Sequence, residues 1–84
     1  MKQFVASTSI INGSLWLYLD NKLVANDDQA RVEIEESEEH VVNWYAEGVP
    51  GSSYTVTISA PRNAEFQLTK KLGISGKDFG GFIF

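Results

Sequence analysis

Val41–Ile58, VVNWYAEGVPGSSYTVTI, is the stretch of sequence that decides the fold. On both sides of a turn at 48–52, apolar and polar residues alternate with a period of two, which is the pattern of half-buried strands. Pro50 fixes φ at the second position of a turn, and Gly51 tolerates the positive φ of the third. The stretch therefore predicts a β-hairpin whose inward residues begin the core: Val42, Trp44, Tyr54, Val56 and Ile58.

The same alternation continues outward from this hairpin in residues 14–20 and 29–35. Residues 3–11 also predict a strand, although apolar residues on both sides leave its inward face ambiguous. Residues 64–72 favour a strand, with a helix as the alternative, and a short last strand ends the chain. Asn12-Gly13 predicts a type I′ hairpin turn, because that turn needs positive φ at both central positions. About seven short strands separated by turns predict an all-β fold. We expect one domain, residues 1–84, that forms an immunoglobulin-like antiparallel β-sandwich, with a small β-barrel as the alternative.

The composition excludes several classes of function. There is no cysteine, so thiol catalysis and cysteine-ligated metal sites are excluded. No apolar run approaches the ~18 residues of a membrane span, and the N-terminus has no signal-peptide pattern. Two locations stay open: the chain is extracytoplasmic if it is a fragment of a longer secreted protein, and cytoplasmic if Met1 is the native start.

Negative charge is concentrated in one part of the chain. Residues 27–47 contain eight carboxylates against Arg31 alone, a formal charge of −7, so the remainder carries +3 of the total of −4. A strongly acidic segment repels phosphate groups, which argues against nucleic acid or an anionic membrane as partner. The asymmetry is compatible with self-association, although a solvated face is the more common meaning of such a run.

Leu17–Lys22, LYLDNK, is followed by a strand with Val32 and Ile34 and then by EHVV at 39–42 and by Gly48. This series resembles the PEGA-like modules of bacterial surface proteins, which run from a strand through an Asp-Gly-Lys turn to a strand that starts with Gly-Glu-His. The resemblance covers a minor part of the chain, and Asn21 stands where those modules have the turn glycine. It implies an extracytoplasmic, non-catalytic β-module with no catalytic residues to carry over.

No constellation of catalytic residues is apparent. His40, the only histidine, lies between acidic residues at an expected turn, and no Gly-x-Ser-x-Gly motif accompanies it. We therefore expect a solvated turn histidine, no enzymatic activity and no cofactor. Asn and Asp residues at 20–28 are of the type that binds calcium, but they lack the spacing of an EF-hand loop and are also typical of turns, so no metal site is predicted.

Outward aromatic residues are the best candidates for a binding site. If the leucines of residues 15–19 face the core, alternation places Trp16 and Tyr18 on the outside of a sheet, and Tyr45 lies outside beside Asn43. Such a platform suits a protein partner or a sugar ring. The alternative is that the C-terminal tail, with Phe79, Phe82 and Phe84, or the first strand covers it. We expect a module that binds a protein partner, or associates with itself, through its sheet edges, with carbohydrate binding by Trp16, Tyr18, Asn43 and Tyr45 as the second hypothesis.

Overall fold

A computed structural model describes residues 2–35 and 38–84. The described residues form eight strands, and one turn of 3-10 helix at Arg62–Ala64 precedes the seventh. The strands are β1 (Lys2–Ile10), β2 (Gly13–Leu19), β3 (Lys22–Asn26), β4 (Gln29–Ile34), β5 (Val41–Gly48), β6 (Ser53–Ala60), β7 (Phe66–Lys71) and β8 (Lys77–Ile83).

The strands build two four-stranded sheets that pack face to face. Sheet A has the order β4-β1-β6-β7, and sheet B has the order β3-β2-β5-β8. All the strand pairs are antiparallel. The predicted all-β antiparallel sandwich is therefore confirmed, with eight strands in place of about seven and two separate sheets in place of a barrel. The immunoglobulin-like description concerns lineage and stays a prediction.

The predicted hairpin in Val41–Ile58 is wrong, although its strands and its turn are present. Gly51 has φ of 89°, and the Ser52 amide donates to the Val49 carbonyl at 3.0 Å, as a tight turn requires. However, β5 belongs to sheet B and β6 to sheet A, so the turn passes from one sheet to the other. Alternation specifies which side of each strand is buried, and two strands in facing sheets satisfy it as well as a hairpin does.

The type I′ geometry occurs at a different turn from the predicted one. Asn12 has φ of 58°, but Gly13 begins β2, and β1 and β2 lie in different sheets. Two successive positive φ values occur instead at Asp20 (51°) and Asn21 (67°), which join β2 to β3 within sheet B. Asp and Asn tolerate this conformation because their short polar side chains bond locally.

The core lies between the sheets and contains the apolar residues on the inward side of each main strand. The five residues predicted to begin it are all buried. Full burial of such a side chain contributes ~1.5–3 kcal/mol, and with no disulfide the fold depends on this term. The largest side chains with almost no exposed surface are Tyr54, Phe4, Leu15, Leu17, Ile58, Val42 and Val56.

Candidate functional site

All four residues predicted to form a binding site lie on the outer face of sheet B. Leu15, Leu17 and Leu19 are buried, so the intervening Trp16 and Tyr18 point away from the core and are half-buried. On the neighbouring strand β5, Tyr45 is the register partner of Trp16, and Asn43 is the partner of Tyr18. The expected grouping of these four side chains is therefore present.

The two central rings do not form a flat platform. The ring centroids of Trp16 and Tyr45 are 5.6 Å apart, and the ring planes are inclined at 53°. The Tyr45 hydroxyl donates a hydrogen bond to Oε2 of Glu47 at 3.2 Å. Tilted aromatic pairs of this kind stabilise a sheet face, and they present an uneven apolar surface to solvent.

Strand β8 extends this surface instead of covering it. It pairs edge to edge with β5, so that Phe79 lies beside Tyr45 and Ile83 lies beside Val41. Phe79 is 79% exposed and Ile83 is 61% exposed, whereas Phe82 is half-buried against the core. The alternative, cover by the C-terminal aromatics or by the first strand, does not occur, since β8 pairs at the edge of sheet B and β1 lies within sheet A. We call the outward residues of sheet B the aromatic face: Trp16, Tyr18, Leu23, Val41, Asn43, Tyr45, Phe79, Gly81 and Ile83.

Two adjacent glycines shape β8 from opposite sides. A Cβ at Gly80 would lie 2.7 Å from Cε2 of Trp44, so Gly80 lets the indole pack on the inner side of the strand. A Cβ at Gly81 would lie 2.8 Å from Nδ2 of Asn43 on the outer side. Because Gly81 has no side chain, an open groove of 540 Å³ runs between Phe79 and Ile83, with Asn43 beside it. No hydrogen-bond partner of the Asn43 side-chain amide occurs among the described residues.

His40 is not the solvated turn histidine that we expected, because it is only 5% exposed. It exchanges two backbone hydrogen bonds with Phe84, both of 2.9 Å, and its ring packs on the Phe84 ring at 5.4 Å. Nδ1 lies 2.7 Å from Oδ2 of Asp20, and Nε2 lies 2.9 Å from the carbonyl oxygen of Glu35. A carboxylate and a carbonyl only accept hydrogen bonds, so the two contacts are both satisfied when each ring nitrogen carries a proton, and the site favours the imidazolium form.

This buried cation joins the two sheets electrostatically. Glu35 follows β4 of sheet A, whereas Asp20 and His40 belong to loops of sheet B. The bond to Asp20 raises the pKa of His40 above 6.5, and the Glu35 carbonyl reinforces the effect. The same bond lowers the pKa of Asp20 below 3.8. The sequence contained little signal for this pair, since its members are separated by twenty residues.

A second polar cluster closes the sandwich near the other end of β8. The buried Tyr54 hydroxyl donates to Oδ2 of Asp78, and Nζ of Lys70 lies 3.3 Å from the same oxygen. Burial raises the pKa of Tyr54 to about 12, and the bond to Asp78 adds to the effect. The bond from Tyr54 lowers the pKa of Asp78. The cluster connects β6 and β7 of sheet A to β8 of sheet B, and we assign it to the fold.

The acidic residues considered as calcium ligands are used by the turns. Oδ1 of Asp27 accepts from the Ile10 amide at 2.9 Å, and Oδ1 of Asp28 accepts from the Asn26 amide at 2.8 Å. Within residues 2–35 and 38–84, no group of three or more His, Asp and Glu side chains is arranged to hold a metal ion. The part of the chain that the structure describes also contains no helix long and apolar enough to cross a membrane.

The aromatic face is therefore the candidate site, and five of its members were not predicted as site residues: Leu23 and Val41 and, on β8, Phe79, Gly81 and Ile83. The alternation of the last three along β8 was visible in the sequence, but the position of β8 beside β5 was not. Compared with known proteins, the chain matches no protein-family model, no curated protein and no solved structure.

Proposed function

We propose that the chain is a non-catalytic interaction module that binds a protein partner through the aromatic face and the adjoining edge of β8. The observation that carries the proposal is the exposure of large apolar side chains on the outer face of sheet B: Phe79 at 79% and Ile83 at 61% on β8, and Leu23 at 53% on β3. Large contiguous apolar patches are rare on protein surfaces, and where they occur they mark interaction sites.

The edge of β8 supports the same proposal because it lacks the usual protection. Natural edge strands are blunted by charges, bulges or short length. Among the other three edges, β4 contains Arg31 and Glu33, β7 ends on two lysines, and β3 is short with a register shift in its pairing. Residues 79–83 of β8, FGGFI, have no charge, no proline and no register shift. A partner strand can therefore pair there.

The absence of catalysis in this proposal is supported by the state of the single histidine. Both ring nitrogens of His40 donate to fixed acceptors, so neither is available as a general base. The Tyr54 hydroxyl is buried and donates to Asp78, and the raised pKa of Tyr54 makes it a poor nucleophile at neutral pH.

Carbohydrate binding is the second candidate, because one observation favours it. Trp16 and Tyr45 lie in contact on an exposed face, and the side-chain amide of Asn43, which has no hydrogen-bond partner within the described ranges, lies nearby. Sugar recognition combines aromatic stacking with such polar groups. The inclination of 53° between the two rings suits a sugar less well than a protein surface, since a pyranose stacks best on coplanar rings.

Lineage belongs to the same proposal. The two parts of the PEGA-like resemblance meet in space. The β2–β3 turn contains Asp20, and Nδ1 of His40, the residue before β5, lies 2.7 Å from Oδ2 of Asp20. This contact supports a bacterial, immunoglobulin-like module in which that turn and that histidine hold two strands together. We propose the kinship on this contact.

Selection from a displayed library of random linear peptides tests the main proposal, and it does not require the partner to be identified. The immobilised protein should enrich apolar peptides that adopt an extended conformation. These peptides should lose binding to a Phe79→Lys/Ile83→Lys variant and keep it with Ile11→Lys/Ile74→Lys, a matched control at two exposed isoleucine positions away from the face. Equal binding to both variants, or no enrichment, would contradict the proposal.

Tryptophan emission distinguishes the second candidate. A soluble polysaccharide that shifts the emission of the wild type, but not that of Trp16→Ala, would move carbohydrate binding to first place. We expect no glycan-dependent shift in the wild type.

A further inference from the structure

The hydrogen-bonding direction of every residue in β8 follows from two contacts. Phe84 and His40 exchange two hydrogen bonds, and the Gly48 amide donates to the Gly76 carbonyl at 2.8 Å. In an antiparallel ladder, residues that bond to the neighbouring strand alternate with residues that point away from it. The register between β5 and β8 has no shift, so the even-numbered residues of β8 bond to β5.

The odd-numbered residues therefore direct their amides and carbonyls toward the free edge. They are Lys77, Phe79, Gly81 and Ile83. The last three also belong to the aromatic face. β8 is a terminal strand of sheet B. One strand thus presents a row of unpaired backbone groups and a set of exposed apolar side chains along the same line.

We propose that this edge binds a second copy of the chain, β8 against β8 in antiparallel orientation, which joins the two B sheets into one continuous sheet. This inference rests on the proposed function and names its partner. Odd residues must pair with odd residues, and the register centred on Gly80 uses all four outward residues of each strand. That register places Phe79 opposite Gly81 of the second copy, and Lys77 opposite Ile83.

The shape of the edge favours a copy of the same chain. Phe79 is the most exposed aromatic side chain of the described residues, and it borders the groove over Gly81. In the register centred on Gly80, the Phe79 ring of each copy lies over Gly81 of the other, so both grooves are filled by symmetry. A ring packed over a cross-strand glycine shields the bare backbone there. The two aromatic faces become one surface.

The charge along this edge does not oppose self-pairing. Along β8, Lys77 is the only charged residue at the outward positions, and in the proposed register the two Lys77 residues lie ~20 Å apart.

Analytical ultracentrifugation from micromolar to millimolar concentration tests the inference. The wild type should show a reversible monomer–dimer equilibrium, and Ile83→Lys should raise the dimer Kd roughly tenfold or more by placing a charge in the seam. Ile74→Lys is the matched control, because Ile74 is 97% exposed in the loop before β8, and its Kd should not change. Far-UV circular dichroism and Tm verify that both variants fold.

The register has its own test. An oxidised mixture of Lys77→Cys and Ile83→Cys chains should form the mixed disulfide in preference to either homodimer, because those positions face each other. A wild type that stays monomeric overturns the inference but leaves the proposed function standing if the selected peptides still bind. A dimer that Ile83→Lys does not weaken, or a preference for a homodisulfide, also overturns it. A peptide selection that fails while the dimer and its register are both found counts against the broader proposal and supports self-pairing.

Discussion

The two outer faces of this sandwich are built on the same antiparallel scaffold and have opposite chemistry. The outer face of sheet A is rich in hydroxyl groups: Ser7 and Ser9 on β1 pair with Thr57 and Thr55 on β6. The outer face of sheet B has aromatic residues at the corresponding central positions, Trp16 opposite Tyr45. Because sheet A is a complete sheet without outward aromatics at these positions, the fold does not require them. The difference agrees with the proposal that the aromatic face binds a partner.

The two tryptophans test this comparison most strongly, since they lie on opposite sides of sheet B. Trp44 is 6% exposed and packs against Phe66 at 5.5 Å, so Trp44→Ala should lower the free energy of unfolding by about 3–5 kcal/mol. Trp16 is half-buried on the aromatic face, and Trp16→Ala should cost only about 1 kcal/mol. Urea unfolding measures both. Equal losses would show that the aromatic face is a structural part of the domain.

A second prediction concerns His40, whose buried ring joins the two sheets and does not face solvent. His40→Ala removes two hydrogen bonds from a buried cation and its packing on Phe84, and it should cost about 2 kcal/mol near pH 6. Asp20 is partly exposed, so water replaces some of the lost interaction and limits the cost. Urea unfolding at fixed pH is the measurement. A cost within error of zero would mean that the imidazolium does not join the sheets.

The contribution of the His40–Asp20 pair to stability should depend on pH in a defined direction. The pKa of folded His40 is raised above 6.5, so its contribution is complete below pH 6.5 and is lost as the pH rises through the folded value. The pKa of folded Asp20 is lowered below 3.8, so its contribution is present above pH 3.8 and is lost in acid. Stability from the pair should be greatest between these limits. Asp20→Asn should move the alkaline loss to lower pH, and an unchanged profile would contradict the assignment.

The sequence predicted the strands and their buried sides better than it predicted which strands share a sheet, and the reason is physical. Period-two alternation is local, so it located β5, β6 and the inward side of each, and it placed Trp16 and Tyr45 outside. The assignment of a strand to a sheet is non-local, which is why the turn at Gly51 was interpreted as a hairpin turn. The burial of His40 depends on an aspartate twenty residues away. Phe79 could not be placed on the face without knowing that β8 pairs with β5.

A smaller effect is expected at the most exposed aromatic residue. Phe79→Thr changes the aromatic face toward the chemistry of sheet A, and it removes one cross-strand neighbour of Tyr45. Because Phe79 is 79% exposed, we expect a loss below about 1 kcal/mol in the free energy of unfolding of the monomer. Thermal unfolding at micromolar concentration, compared with Phe79→Tyr as the conservative control, measures it. A loss above that limit would indicate that Phe79 is needed for folding.

The smallest expected effect lies on the hydroxyl-rich face. Oγ1 of Thr55 and Oγ1 of Thr69 are 3.0 Å apart across β6 and β7, and an exposed pair of this kind contributes roughly 0.2–1 kcal/mol. A double-mutant cycle with valine at both positions should give a coupling energy near the lower end of that range, because water competes for both hydroxyls. The adjacent pair Thr57 and Gln67 provides the matched cycle without such a bond in the described structure, and its coupling should be zero. Equal coupling in the two cycles would mean that the hydroxyls of sheet A are merely solvated. The outer face of sheet A would then contribute nothing specific to stability, and the contrast with the aromatic face would rest on sheet B alone.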